Sequence, residues 1–141
     1  MDDTVIKFNR QVVKTEADEI EDFIQRYHWK MNTSETGLRY MIYKNGNGEK
    51  AKKGKTVVLN YTLKLINGEV VYSTDGEKKF ETEIGKSHLT NGLEEGVLLM
   101  RTGDKAKFIL PSHLAFGLLG DQNKIPQRAI LIYDVELCEV K

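Results

Sequence analysis

Ser112 beside His113 is an adjacency in this 141-residue chain whose residue types could run acyl transfer. Neighbours in a loop rarely point at each other, and neither a third member nor a nucleophile elbow accompanies them, so that chemistry is set aside. Cys138 is the only cysteine. One thiol forms no internal disulfide, and no histidine stands at metal-ligand spacing from it, so neither a metal nor a redox pair is expected. What remains is aromatic. Tyr61, Phe80 and Tyr133 recur in strand-like segments and read either as core rings or as walls of a dry pocket.

Charge narrows the partners. Twenty-one basic residues balance twenty-one acidic ones. That balance argues against a polyanion, so nucleic acid is not expected as a partner. Lys50, Lys52, Lys53 and Lys55 cluster beside a Gly/Asn-rich turn and read as a solvated loop. Forty per cent of the residues are hydrophobic, enough for one core. No apolar run is long enough to span a membrane. Met1-Asp2-Asp3 lacks the basic and apolar regions of an export signal, as a chain whose signal had been removed also would.

The elements that must position these rings change character near residue 37. Before it the apolar period is helical. Val5, Phe8 and Val12 suggest a short helix over 4–13. Ile20, Phe23, Ile24, Tyr27 and Met31 form one stripe of a helix over 16–30. Thr15 with Asp18 resembles a capping box at its start. The stripe docks on its own chain or makes a dimer. After Gly37 the period falls to two. Leu38, Tyr40 and Ile42 alternate, as do Val57, Leu59, Tyr61, Leu63 and Leu65. Asn67-Gly68 marks a hairpin turn, after which Val70 to Tyr72 and Phe80 to Ile84 continue as strand. Leu89, Leu93, Val97 and Met100 share one helix face, with Thr90 or Asn91 as cap and Gly103 as stop. Ala106 to Leu110 and Ala129 to Leu137 close the pattern as strands. The expected fold is α+β. It is a curved antiparallel sheet of five or six strands wrapped around one short helix, residues 37–141, behind a helical extension, residues 1–36.

Seven strings in order resemble the FKBP family of peptidyl-prolyl isomerases. They are Gly54 to Thr62, Asn67-Gly68-Glu69, Gly92 to Val97 with Met100, Gly103 to Ala106, Pro111 to Gly117, Ile125-Pro126, and Asp134 to Leu137. The helical leader followed by Gly37-Leu38-x-Tyr40 is similar to exported bacterial members. The resemblance implies cis–trans isomerisation of X-Pro bonds in polypeptide substrates, without metal or cofactor. It further implies a place in the cell envelope or periplasm, a membrane link only through a lipid anchor ahead of Met1, and a role in folding. A cytoplasmic place is not excluded by it. The chemistry needs no nucleophile. Rotation about a peptide bond costs about 18–20 kcal/mol. The twisted amide is less polar than the planar one, so a dry aromatic pocket favours the transition state over the ground state.

Carried over position by position, the resemblance places Tyr61, Phe80 and Tyr133 on the pocket walls, Leu89 beside the ligand and Leu93 at the floor. Thr90 stands where a backbone N–H binds a substrate carbonyl, and Ile125 matches a residue of the long loop. Three positions depart from the family pattern. Phe116 replaces a tyrosine whose hydroxyl bonds a substrate carbonyl. Val71 replaces a phenylalanine, and Tyr72 an aspartate that acts on the reacting amide. A register one residue over puts Tyr72 at the aromatic position and Ser73 at the acid, with Asp75 supplying the charge. Both registers stay open at this level. The departures imply a weakened site, or a peptide-binding chaperone module without catalysis.

Overall fold

A computed structural model describes residues 16–75, 78–86, 89–117 and 119–141. The helix expected over 4–13 and the capping residue Thr15 lie outside the described residues. The chain forms two compact units, Met1–Lys30 and Met31–Lys141.

In the first unit, helix α1 spans 16–27. It stops three residues short of the expected end because His28 turns left-handed, with φ +57°. The N–H groups of His28 and Trp29 then bond back to the carbonyls of Gln25 and Ile24, at 3.2 and 3.1 Å, which satisfies carbonyls the helix leaves open. Phe23 and Tyr27, one turn apart on the stripe, bring their ring centroids to 4.6 Å.

The second unit is one antiparallel sheet wrapped on a short helix. Its strands are β1 Asn32–Thr33, β2 Arg39–Lys44, β3 Thr56–Leu65, β4 Val70–Ser73, β5 Phe80–Glu83, β6 Lys105–Leu110 and β7 Leu131–Val140, with helix α2 Asn91–Val97 between β5 and β6. The order across the sheet is β1-β2-β6-β7-β3-β4, and β5 also pairs with β3. β1 was not legible: two residues have no period, and Asn32-Thr33 read as a helix stop. It is fixed by pairing with Tyr40 and Arg39 of β2.

The alternation of β3 faces Val57, Leu59, Leu63 and Leu65 into the core, where each is buried. The partner β7 runs antiparallel along its full length, from Val57 opposite Val140 to Leu65 opposite Leu131. The other edge of β3 is shared. β5 covers Thr56 to Leu59, and β4 covers Thr62 to Lys64. In the gap between them, Thr74 serves the backbone of Tyr61: its Oγ1 accepts from Tyr61 N–H, and its own N–H donates to Tyr61 carbonyl, both at 2.9 Å. The Asn67-Gly68 turn sits at the β3–β4 hairpin, with Gly68 at φ +94°, a conformation that L side chains resist.

α2 buries Gly92, Leu93, Gly96 and Val97. The two glycines are there for proximity. A Cβ at Gly96 would stand 2.7 Å from the Phe108 ring, and one at Gly92 2.6 Å from Leu110 Cγ. Absent side chains let the helix sit directly on β6. The opposite edge of α2 is thereby left to face a hollow.

Candidate active site

β3, β4, β5 and β7 each send one aromatic ring into that hollow: Tyr61, Tyr72, Phe80 and Tyr133 respectively. Period-two alternation puts these rings on the face turned toward α2. Tyr61 holds the cluster together. Its ring meets Phe80 edge-on at 6.1 Å and Tyr133 at 5.9 Å, and such pairs add about 0.5–1.5 kcal/mol each beyond their buried area. Leu93 of α2 closes the floor, 4% exposed. Leu89 and Thr90 line the approach to the helix, and Phe116 stands at the mouth, 37% exposed. The enclosed volume is about 610 Å³, within the ordinary range for a ligand pocket.

Eight of the ten residues singled out from the sequence therefore share one hollow: Tyr61, Tyr72, Phe80, Leu89, Thr90, Leu93, Phe116 and Tyr133. Val71 and Ile125 do not line it. Val71 is buried in the hydrophobic core as the extra residue of an irregular β3–β4 pairing, in which Tyr72 stands opposite Leu63 and Val70 opposite Lys64. The aromatic on this strand is thus Tyr72. Ile125, 3% exposed, lies under the loop that follows Phe116 and borders a separate shallow hollow with Leu65, Leu119 and Pro126. Asp75 is elsewhere too, in a small polar recess with Asp134 and Glu136.

Sequence reasoning missed the acids of the hollow. Asp121 enters it from the loop after Phe116, and Glu94 from the first turn of α2. The Tyr72 hydroxyl donates to Asp121 Oδ2 at 2.5 Å, while Oδ1 accepts from the N–H groups of Asn123 at 2.9 Å and Ile125 at 2.7 Å. Burial pushes the Asp121 carboxyl up, but the Tyr72 hydroxyl and the loop amides outweigh it and hold the group below the usual carboxylate range. Asp121 is 49 residues from Tyr72 in sequence; the one available signal was an Asp-x-Asn stretch two residues ahead of Ile125-Pro126.

The phenols stay protonated at neutral pH. Burial raises Tyr61, and burial foremost, with neighbouring Tyr61, raises Tyr133. Thr90 is the N-cap of α2, yet its side chain makes no capping bond, and among the described residues its Oγ1 has no partner. The hollow therefore offers apolar ring faces, neutral hydroxyl donors and two carboxylates. His113 Nε2 bonds the carbonyl of Thr36 at 2.8 Å. Among the described residues no group of histidine, cysteine and acid side chains could hold a metal.

Comparison with known proteins places this geometry. The family model described as FKBP-type peptidyl-prolyl cis-trans isomerase matches residues 47–138. A probable FKBP-type peptidyl-prolyl cis-trans isomerase of Haemophilus influenzae is 34% identical over 110 residues, 78% of this chain and 45% of that protein. The FKBP-type peptidyl-prolyl cis-trans isomerase FkpA of Aeromonas hydrophila is 35% identical over 111 residues, 79% of this chain and 41% of its own length. The chain thus spans less than half the length of these relatives. The crystal structure of FkpA from Escherichia coli superposes with a TM-score of 0.78 at 31% identity, covering 96% of this chain and 63% of that one.

Proposed function

Because the chain belongs to the FKBP-type peptidyl-prolyl cis-trans isomerase family, we propose that its aromatic hollow accelerates X-Pro bond rotation in polypeptide substrates. The observation that carries this reading is the convergence of Tyr61, Tyr72, Phe80 and Tyr133 over Leu93 in one hollow. A proline ring fits between such faces. Inside, water is excluded from the amide, and the planar, charge-separated form loses the solvation that stabilises it relative to the twisted form. Neutral phenols supply hydrogen bonds to flanking carbonyls. In this reading the backbone N–H of Thr90, at the entrance to α2, donates to one more substrate carbonyl. Val71 and Ile125 act from behind, by packing the strand and the loop that carry Tyr72 and Asp121.

Catalysis of this kind adds no new covalent step. Uncatalysed exchange takes tens to hundreds of seconds, so modest differential binding suffices to matter for folding. NMR exchange spectroscopy or a protease-coupled assay on X-Pro peptides tests the reading. Acceleration at micromolar protein supports it; none, with the fold verified by its amide spectrum, rejects it.

Phe116 favours a second reading, a peptide-binding module with little rate enhancement, since its ring brings no hydroxyl to the mouth. Binding of proline peptides without acceleration is its signature. A place in the cell envelope rests on the similarity to exported bacterial members, and fractionation of the native producing cell tests it. Self-association through the α1 stripe would be read from molar mass in solution.

A further inference from the structure

Among the described residues, two carboxylates border the hollow, and no lysine, arginine or histidine does. Glu94 comes from α2 and Asp121 from the loop after Phe116, so they reach the hollow from different elements. Among the described residues, the ion pairs of this unit join Lys55 to Glu49, Lys86 to Glu83, Lys107 to Asp134 and Lys141 to Glu81. Neither hollow carboxylate takes part in them. Asp121 is held by a phenol and two backbone amides. These neutral donors keep it ionised without cancelling its charge. One cation stands near this rim, Lys124, whose Nζ sits 5.2 Å from the centre of the Tyr72 ring.

We propose that Glu94 and Asp121 make this site selective for X-Pro segments that carry a lysine or arginine next to the proline. The inference rests on the isomerase reading and names its substrate class. A substrate seated among the four rings brings its flanking side chains to the mouth, where an unneutralised negative field attracts a cation and repels an acid. The overall charge of the chain is balanced, so the preference is local and comes from these two groups. Like-charge contacts at such a rim discriminate by repulsion as much as opposite charges do by attraction. Lys124 is the built-in competitor and sets how strong the preference becomes.

The experiment compares kcat/KM on one tetrapeptide series with Lys, Leu or Glu before the proline, and again after it. The expected order at low salt is Lys above Leu above Glu at one position or both, with Lys and Glu separated by about fivefold or more. Near 1 M salt, where the screening length falls to about 3 Å, the separation should collapse. Glu94→Gln and Asp121→Asn should each narrow the Lys-to-Glu ratio. Lys124→Gln should widen it. Glu94→Gln does not touch the Tyr72 bond, so it stays informative if Asp121→Asn disturbs its loop. Equal rates across the series, or a ratio unchanged in Glu94→Gln, overturn the inference and leave the isomerase reading standing. If no peptide is accelerated, the isomerase reading falls, and NMR titration with the same peptides decides the charge preference as a property of binding.

Discussion

Phe116 and Tyr72 both line the hollow, and we propose that they are where it departs from the family pattern. Phe116 sits at the mouth and is partly exposed, so Phe116→Tyr is expected to add a hydroxyl without displacing a neighbour. A donor to a substrate carbonyl is worth on the order of 0.5–1.5 kcal/mol. The expected gain in kcat/KM is therefore about two- to tenfold, read in the peptide assay. Tyr72→Asp, which matches the family residue in the register that puts Tyr72 at the acid position, is expected to fail. It places a second carboxylate opposite Asp121, whose Oδ2 now accepts from the Tyr72 hydroxyl, and like charges sharing a site oppose ionisation. The single variant should lose activity, and the pair with Asp121→Asn should recover it. The same bond has a pH signature. The folded carboxyl of Asp121 titrates below its ordinary value, so its contribution to stability is complete above about pH 4, the unfolded value. It is lost as the pH falls through the lowered folded value. The side-chain carboxyl shift of Asp121, followed by NMR, should titrate below the ordinary aspartate value, and Tyr72→Phe should raise it while the loop amides keep part of the lowering.

α2 is the element on which the site depends, because it supplies the floor at Leu93 and the acid at Glu94 while resting on β6. Its close approach needs the two glycines. Gly96→Ala puts a methyl 2.7 Å from Phe108, a fully buried ring with nowhere to go. Overpacking of this sort costs about 1–3 kcal/mol, and the gain in helix propensity from Gly to Ala, about 1 kcal/mol, offsets part of it. A fall of several degrees in Tm, measured by circular dichroism, is the expected outcome. Peptide affinity should fall with it, since the floor residue lies three positions away on the same helix. β3 is the other positioning element. Its shared edge leaves Tyr61 between β4 and β5, and Thr74 fills the backbone gap there.

At the scale of the whole molecule, all the residues assigned to the hollow fall in the unit Met31–Lys141. Removing residues 1–30 is expected to leave kcat/KM on short peptides within about twofold of the full chain, because small differences of this order lie within 0.5 kcal/mol. A larger loss would make the helical segment part of the catalytic unit. Refolding of a proline-limited protein substrate, measured alongside, separates an effect of that segment on large clients from one on the reaction.

The strands other than β1, the short helix and most of the pocket rings were determined by the sequence alone, since burial of a one-sided surface imposes a period of two or three to four and the rings fall on those periods. β3 is the clear case: Val57, Leu59, Leu63 and Leu65 are spaced for one face and are buried on it. Tertiary structure decided the rest. Whether Val71 or Tyr72 lined the hollow depended on the β3–β4 pairing, whose register shifts between Leu63 and Lys64, an irregularity that re-aims side chains and that no local pattern announces. The carboxylates of the hollow came from Asp121, in a loop without period, and from a helix edge whose direction was set by Gly92 and Gly96. Contacts between residues far apart in the chain are fixed by packing, and no local pattern encodes them.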